Sequence, residues 1–140
     1  MRGGERASRP LVLIADDAAD TREMYALYLN MVGYRVEMAA DGREVVRFAR
    51  VSRPDLIVMD LQMPGVDGWG AIRELQRDAR TANIPVIVLT GHELKDYLRY
   101  SAIAEGACGY LTKPINPEQL GREIATRLAE RRPERRRAVQ

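Results

Sequence analysis

Five polar residues carry most of the chemistry this sequence offers: Asp16, Asp17, Asp60, Thr90 and Lys113. Each stands at the end of a short apolar run. Asp16 and Asp17 follow Leu11–Ala15, Asp60 closes the run 55–60, Thr90 closes Pro85–Thr90, and Lys113 follows Gly109–Leu111. Three carboxylates drawn into one pocket repel one another and need a counter-charge. An all-oxygen acidic pocket suits a hard cation such as Mg2+ (or Mn2+), which takes one or two carboxylates, several waters and a phosphate oxygen. No His or Cys stands among these positions to suggest zinc. Lys113 adds a fixed positive charge and Thr90 a hydroxyl donor. Together they offer what phosphoryl transfer demands, positioning and charge neutralisation, and a carboxylate can itself attack phosphorus to give an aspartyl phosphate. Singly, each has a plainer reading: Asp after a strand is often only a helix cap, and Thr at a strand end is ordinary. The argument lies in the ordered set.

The elements that must position this set are legible from the apolar pattern. Runs at Leu11–Ala15, Tyr34–Ala39, Asp55–Asp60, Pro85–Thr90 and Gly109–Leu111 are short, and three are nearly continuous and rich in branched residues. Strands buried on both faces of a parallel sheet have this composition. Helical spacings lie between them. Met24, Leu27, Tyr28 and Met31 follow i, i+3, i+4, i+7, and Gly33 closes that helix. Val45, Val46 and Ala49 mark a second helix after the turn Asp41-Gly42, and Ala71, Ile72, Leu75 and Ala79 a third. Leu94, Leu98 and Ala102 mark a weaker fourth over 93–105. Leu120, Ile124 and Leu128 mark a fifth, introduced by Asn116-Pro117-Glu118 as cap and first turn. Five strand–helix alternations predict an α/β fold, a (βα)5 doubly wound five-stranded parallel sheet with helices on both faces. In such sheets ligands bind beyond the carboxyl ends of the strands, which is where the five polar residues fall.

The 140 residues carry a net charge of +2, unevenly placed. Residues 1–10 hold +2 and residues 131–140 hold +4, so the stretch 11–130 is acidic at −4. An acidic body disfavours a nucleic-acid surface. The Arg-rich end (Arg131, Arg132, Arg135, Arg136, Arg137) either touches phosphate or an acidic partner or is a solvated tail, the commoner case. The expected division is a flexible N-terminal tail over 1–9, a compact domain over 10–130 and an Arg-rich C-terminal tail over 131–140. One cysteine, Cys108, excludes an internal disulfide, and it reads as core or edge packing. No apolar run approaches the ~20 residues of a membrane helix, and the polar start lacks a secretory h-region. A cytoplasmic protein without membrane contact is expected.

The ordered set Asp16-Asp17, Asp60-Leu61-Gln62-Met63-Pro64-Gly65, Thr90-Gly91 and Tyr110-Leu111-Thr112-Lys113-Pro114 resembles the receiver domain of bacterial two-component response regulators. The resemblance covers about 120 residues and implies the flavodoxin-like receiver fold. It also implies roles. Asp60 would be the phosphoacceptor, taking its phosphoryl group from a sensor histidine kinase or a histidine phosphotransfer protein. Asp17 would bind Mg2+ directly, Asp16 mostly through a metal-bound water, and Asp60 and the backbone carbonyl of Gln62 would complete the protein ligands. Lys113 would pair with Asp60 and then with the phosphoryl oxygen. Thr90 would follow the phosphoryl group inward and Tyr110 would turn in behind it, repacking the face made by the fourth helix, fifth strand and fifth helix. The Lys113–Pro114 bond would be cis. Gln62 and His92, two residues after the phosphoacceptor and the threonine, would tune phosphoryl lifetime, although a solvated loop residue is the plainer reading of His92.

With only 12 residues after Leu128, the resemblance implies a stand-alone, single-domain regulator that acts by protein–protein contact or as a phosphorelay intermediate. It would be no turnover enzyme, catalysing only its own phosphorylation and dephosphorylation. Tyr97, Arg99 and Tyr100 mark a partner or homodimer surface if exposed, and core packing if not. The alternatives are a Mg2+-dependent small-molecule phosphatase and a tail-mediated nucleic-acid binder. The first lacks a titratable residue at Leu61, Gln62 or Met63 to act as general acid. The second lacks a helix-turn-helix unit.

Overall fold

A computed structural model describes residues 9–61, 68–90, 103 and 106–139, with Thr90 and 131–139 described by their backbone. Five strands form one parallel sheet: β1 (Leu11–Ala15), β2 (Arg35–Ala39), β3 (Leu56–Met59), β4 (Val86–Thr90) and β5 (Gly109–Thr112). Their spatial order is β2-β1-β3-β4-β5, so the direction of winding reverses between β1 and β3. Four helices lie among the described residues: α1 (Ala19–Met31), α2 (Gly42–Ser52), α3 (Gly68–Arg77) and α4 (Pro117–Val139). The (βα)5 doubly wound reading therefore holds, and the helix expected over 93–105 lies, apart from Ile103, outside the described residues.

The strands are apolar on both faces because both faces are covered. Successive side chains point to opposite sides of a strand, and the core divides accordingly. Leu13, Ala15, Ile57, Met59, Val86 and Val88 pack with Val45, Val46 and Ala49 of α2 and Ala71, Ile72 and Leu75 of α3. Val12, Ile14, Leu56, Val58, Ile87 and Leu89 pack with Tyr25 and Leu29 of α1 and Leu120 and Ile124 of α4. Ile57 sits fully buried on the central strand. Its replacement by Ala opens a cavity that the flanking strands cannot close, so Ile57→Ala is expected to lower unfolding free energy by about 2–5 kcal/mol. Urea denaturation should show an earlier midpoint with an unchanged slope.

Local signals set the helix ends. Asp41 caps α2, its carboxylate accepting from Glu44 N at 2.9 Å, while Glu44 reaches back to Ala40 N at 2.8 Å. Asn116 caps α4 with the reciprocal pair Gln119 N to Asn116 Oδ1 at 2.8 Å and Asn116 N to Gln119 Oε1 at 3.2 Å. Past the end of α1, Gly33 turns the chain with φ +108°, a backbone region that favours glycine.

Three expectations need correction. The face of α1 that meets the sheet is Tyr25, Ala26 and Leu29, whereas Met24, Leu27 and Met31 are 46%, 64% and 76% exposed. Tyr28 is only half-buried. Both stripes have helical spacing, and packing against α4 chooses between them. Ala79 lies beyond the end of α3 at Arg77. The last helix continues to Val139 instead of ending near Leu128; Arg, Glu and Ala in this stretch favour a helix, whereas Pro133 works against it by removing one backbone N–H donor. Of the two readings of Cys108, core or edge packing, its exposed position one residue before the edge strand β5 fits the edge.

Candidate active site

The site is assembled by strand register. Ala15 of β1 lies opposite Met59 of β3, so the next residues, Asp16 and Asp60, emerge side by side at the carboxyl edge where the winding reverses. Backbone bonds hold them there: Asp60 N donates to Ala15 O at 2.9 Å and Asp16 N to Ala39 O at 3.2 Å. Thr90 lies opposite Thr112 across β4 and β5, which brings Lys113 to the same edge.

Asp16 and Asp60 are buried, at 2% and 5% exposure, and Asp17 is exposed. Each of the three offers a carboxylate oxygen within 4.8 Å of the others. The Lys113 ammonium donates to Asp16 Oδ2 and, at 3.1 Å, to Asp60 Oδ2. The other Asp16 oxygen accepts from Ala18 N at 2.9 Å. Two buried carboxylates are thus compensated by one cation, and the three acids with Lys113 leave two net negative charges. That balance and the oxygen-only donor set fit a hard divalent cation. Among the described residues no His or Cys joins the cluster.

Burial works against the Lys113 charge, but the hydrogen bonds and charges of Asp16 and Asp60 outweigh it and hold its pKa above the ordinary lysine value. A raised folded-state pKa contributes stability that is fully present below the unfolded-state value. It is lost as pH rises through the folded-state value. Thermal melts across the alkaline range should therefore show a decline that is absent when Lys113 is replaced by Met.

The structure brings Asp16, Asp17, Asp60 and Lys113 together. The Lys113–Pro114 peptide is cis. Tyr110, on β5 three residues before the lysine, is half-buried and packs on the α2–α3 side of the sheet. Gln62, the Met63-Pro64-Gly65 stretch, Gly91, His92, Tyr97, Arg99 and Tyr100 lie outside the described residues, as does the Thr90 side chain.

Sequence reasoning missed three supporting residues. Arg22 Nη1 donates to the Asp16 carbonyl at 2.7 Å. Tyr25 Oη donates to the Ile115 carbonyl at 2.9 Å. Gly68, at the start of α3, lies so close to the residue after Asp60 that an added Cβ would stand 2.7 Å from Leu61 Cα. The available signal was the second helical stripe, Arg22, Tyr25, Ala26 and Leu29, which has the same spacing as the one read as buried.

A family-wide profile described as the response regulator receiver domain matches residues 12–125. The chain belongs to this family. Among its relatives, Protein PilH of Pseudomonas aeruginosa is 39% identical over 120 residues, covering 84% of this chain and 97% of PilH. The DNA-binding dual master transcriptional regulator RpaA of Synechocystis is 39% identical over 112 residues, covering 79% of this chain and 46% of RpaA. The receiver chain thus spans about half the length of RpaA and of similar transcriptional regulators. Among solved structures, the chemotaxis response regulator CheY4 of Vibrio cholerae superposes with a TM-score of 0.80 at 34% identity, over 86% of this chain and 99% of CheY4. The receiver domain of the sensor histidine kinase PA1611 from Pseudomonas aeruginosa superposes with a TM-score of 0.79 at 30% identity, over 87% of this receiver and 99% of that one. That structure holds a magnesium ion in its active-site cleft. No described helix of this receiver is long and apolar enough to cross a membrane.

Proposed function

We propose that this receiver takes a phosphoryl group from the phosphohistidine of a sensor histidine kinase or histidine phosphotransfer protein onto Asp60. The observation that carries this reading is the Lys113 ammonium bonded at once to Asp16 and Asp60, a fixed cation beside the carboxylate that the family resemblance marks as nucleophile. An Asp60 oxygen attacks phosphorus, the phosphorus–nitrogen bond breaks, and the imidazole leaves with that electron pair. Asp60 becomes an acyl phosphate. Asp16, Asp17, Asp60 and the Gln62 carbonyl would hold Mg2+ or Mn2+, which neutralises phosphoryl oxygens when bound. Lys113 then turns from the carboxylates to the new phosphoryl oxygens, a charge-assisted contact.

The phosphoryl group adds about −1.5 to −2 charges. In this reading Thr90 bonds it, Tyr110 fills the space vacated, and the face of residues 93–105, β5 and α4 changes its affinity for a partner. Gln62 and His92 set how long the acyl phosphate lasts. The receiver acts by protein contact or passes the group on, catalysing only its own phosphorylation and dephosphorylation, in the cytoplasm. Residues 10–130 form the receiver, and the Arg-rich stretch beyond them extends α4.

The test is incubation with Mg2+ and acetyl phosphate, followed by intact mass measurement. One added phosphoryl group, stable to acid, labile to base and dependent on the cation, is the expected result. Mapping should place it on the peptide that contains Asp60. A group found only on Ser, Thr or His, or none with either acetyl phosphate or a phosphohistidine donor, removes this reading.

A further inference from the structure

Two of the segments that make the site come from opposite ends of the chain, and α1 touches both. Arg22 holds the carbonyl of Asp16, and Tyr25, three residues later on the same helical face, holds the carbonyl of Ile115, two residues past Lys113. The Tyr25 ring is 3% exposed and belongs to the core cluster with Ile14, Leu29 and Leu120. Helix α1 is itself fixed on α4, since Gly121 leaves just enough room for Tyr28, whose Cε2 stands 3.0 Å from where a Cβ would be. The phenol is therefore a rigid strut between the helix that follows Asp17 and the loop that carries the lysine. Burial first, opposed by the Lys113 charge and reinforced by that of Asp16, holds its pKa above the ordinary tyrosine value, so it remains a donor at neutral pH.

We propose that Tyr25 is a positioning residue for phosphoryl transfer at Asp60, acting through the loop that carries Lys113. The inference rests on the roles of Asp60 and Lys113 proposed above. Its physical basis is that a small displacement of a charged group from its productive position is costly in rate. A neutral hydrogen bond to a buried carbonyl also has a modest but definite net value. Phe at position 25 keeps the packed ring and deletes only the strut.

The experiment compares Tyr25→Phe with Tyr28→Phe, a matched loss of a hydroxyl from the same helix away from the site. Phosphorylation by acetyl phosphate at saturating Mg2+ should slow about three- to tenfold in Tyr25→Phe and stay unchanged in Tyr28→Phe. The Mg2+ midpoint should not move. In a Lys113→Ala background Tyr25→Phe should cost nothing further, because a strut cannot position an absent ammonium. The chain has two lysines, Lys95 and Lys113, so lysine labelled with 13C at Cε gives two signals, assigned by Lys113→Ala. Tyr25→Phe should shift the Lys113 signal and leave Lys95 in place. Wild-type rate with an unmoved Lys113 signal overturns the inference. So does an equal rate loss without Lys113, or a lower melting temperature with an unmoved signal, which assigns the hydroxyl to packing alone. If the wild-type chain takes up no phosphoryl group, the reading of Asp60 fails, and the Lys113 signal still decides whether Tyr25 positions the lysine.

Discussion

Asp60→Asn is expected to abolish phosphoryl uptake from acetyl phosphate, lowering the rate by at least about a thousandfold, as loss of an essential nucleophile does. The amide is nearly isosteric and its oxygen can still accept from Lys113, so the ion-pair site keeps one carboxylate partner and one neutral acceptor. The variant should fold, with stability within about 1 kcal/mol of the parent, because Asp60 sits at a strand end and its backbone bond to Ala15 O is untouched. Cation binding should weaken, since one of three converging negative charges is gone. Intact mass, thermal melting and a Mg2+ titration separate these effects. Rapid labelling of the Asn variant at another carboxylate would show that Asp60 is not the acceptor, and the site would have to be redrawn around Asp16 or Asp17.

Lys113→Ala is expected to slow phosphorylation by about a hundred- to a thousandfold, the usual cost of removing one preorganised donor to developing charge. It acts on stability in the same stroke. Without the ammonium, Asp16 and Asp60 lose the cation that bridges them, and breaking a buried pair from one side is costly. In the absence of divalent cation the unfolding free energy should fall by about 3 kcal/mol, the lower end of the cost of breaking a buried pair, because the Lys113 side chain is 20% exposed. Mg2+ should restore most of this loss, because the variant binds it more tightly and ligand bound only to the folded state adds stability by mass action. A melt of the variant that is no lower than the parent without Mg2+, or no more responsive to it, would mean that the Lys113 contacts carry no such compensation. The two variants thus move cation affinity in opposite directions.

Much of this was legible in the sequence because the physics is local. Runs such as Leu56–Met59 are apolar at every position, which only a sheet covered on both faces requires, and the core divides between two helix layers as that implies. Parallel strands that all end on one edge place Asp16, Asp60 and Lys113 in the same pocket whatever the loops do. The Asn116 cap acts on a neighbouring amide and needed no tertiary context; Asp41, read only as part of a turn, caps α2 in the same local way.

Other features were beyond sequence because they depend on which of two equal choices packs better. Helix α1 carries two apolar stripes of the same period, and spacing cannot say which one faces inward. The sheet and α4 select Tyr25, Ala26 and Leu29, which leaves Met24, Leu27 and Met31 in water. The same rotation aims Arg22 and Tyr25 at the two loops of the site, making bonds to backbone carbonyls 6 and 90 residues away. A carbonyl has no sequence signature, so neither bond leaves a motif. The residues that do the proposed chemistry are fixed by type and order along the chain; those that hold them in place are decided only when α1 settles on the sheet, by shape.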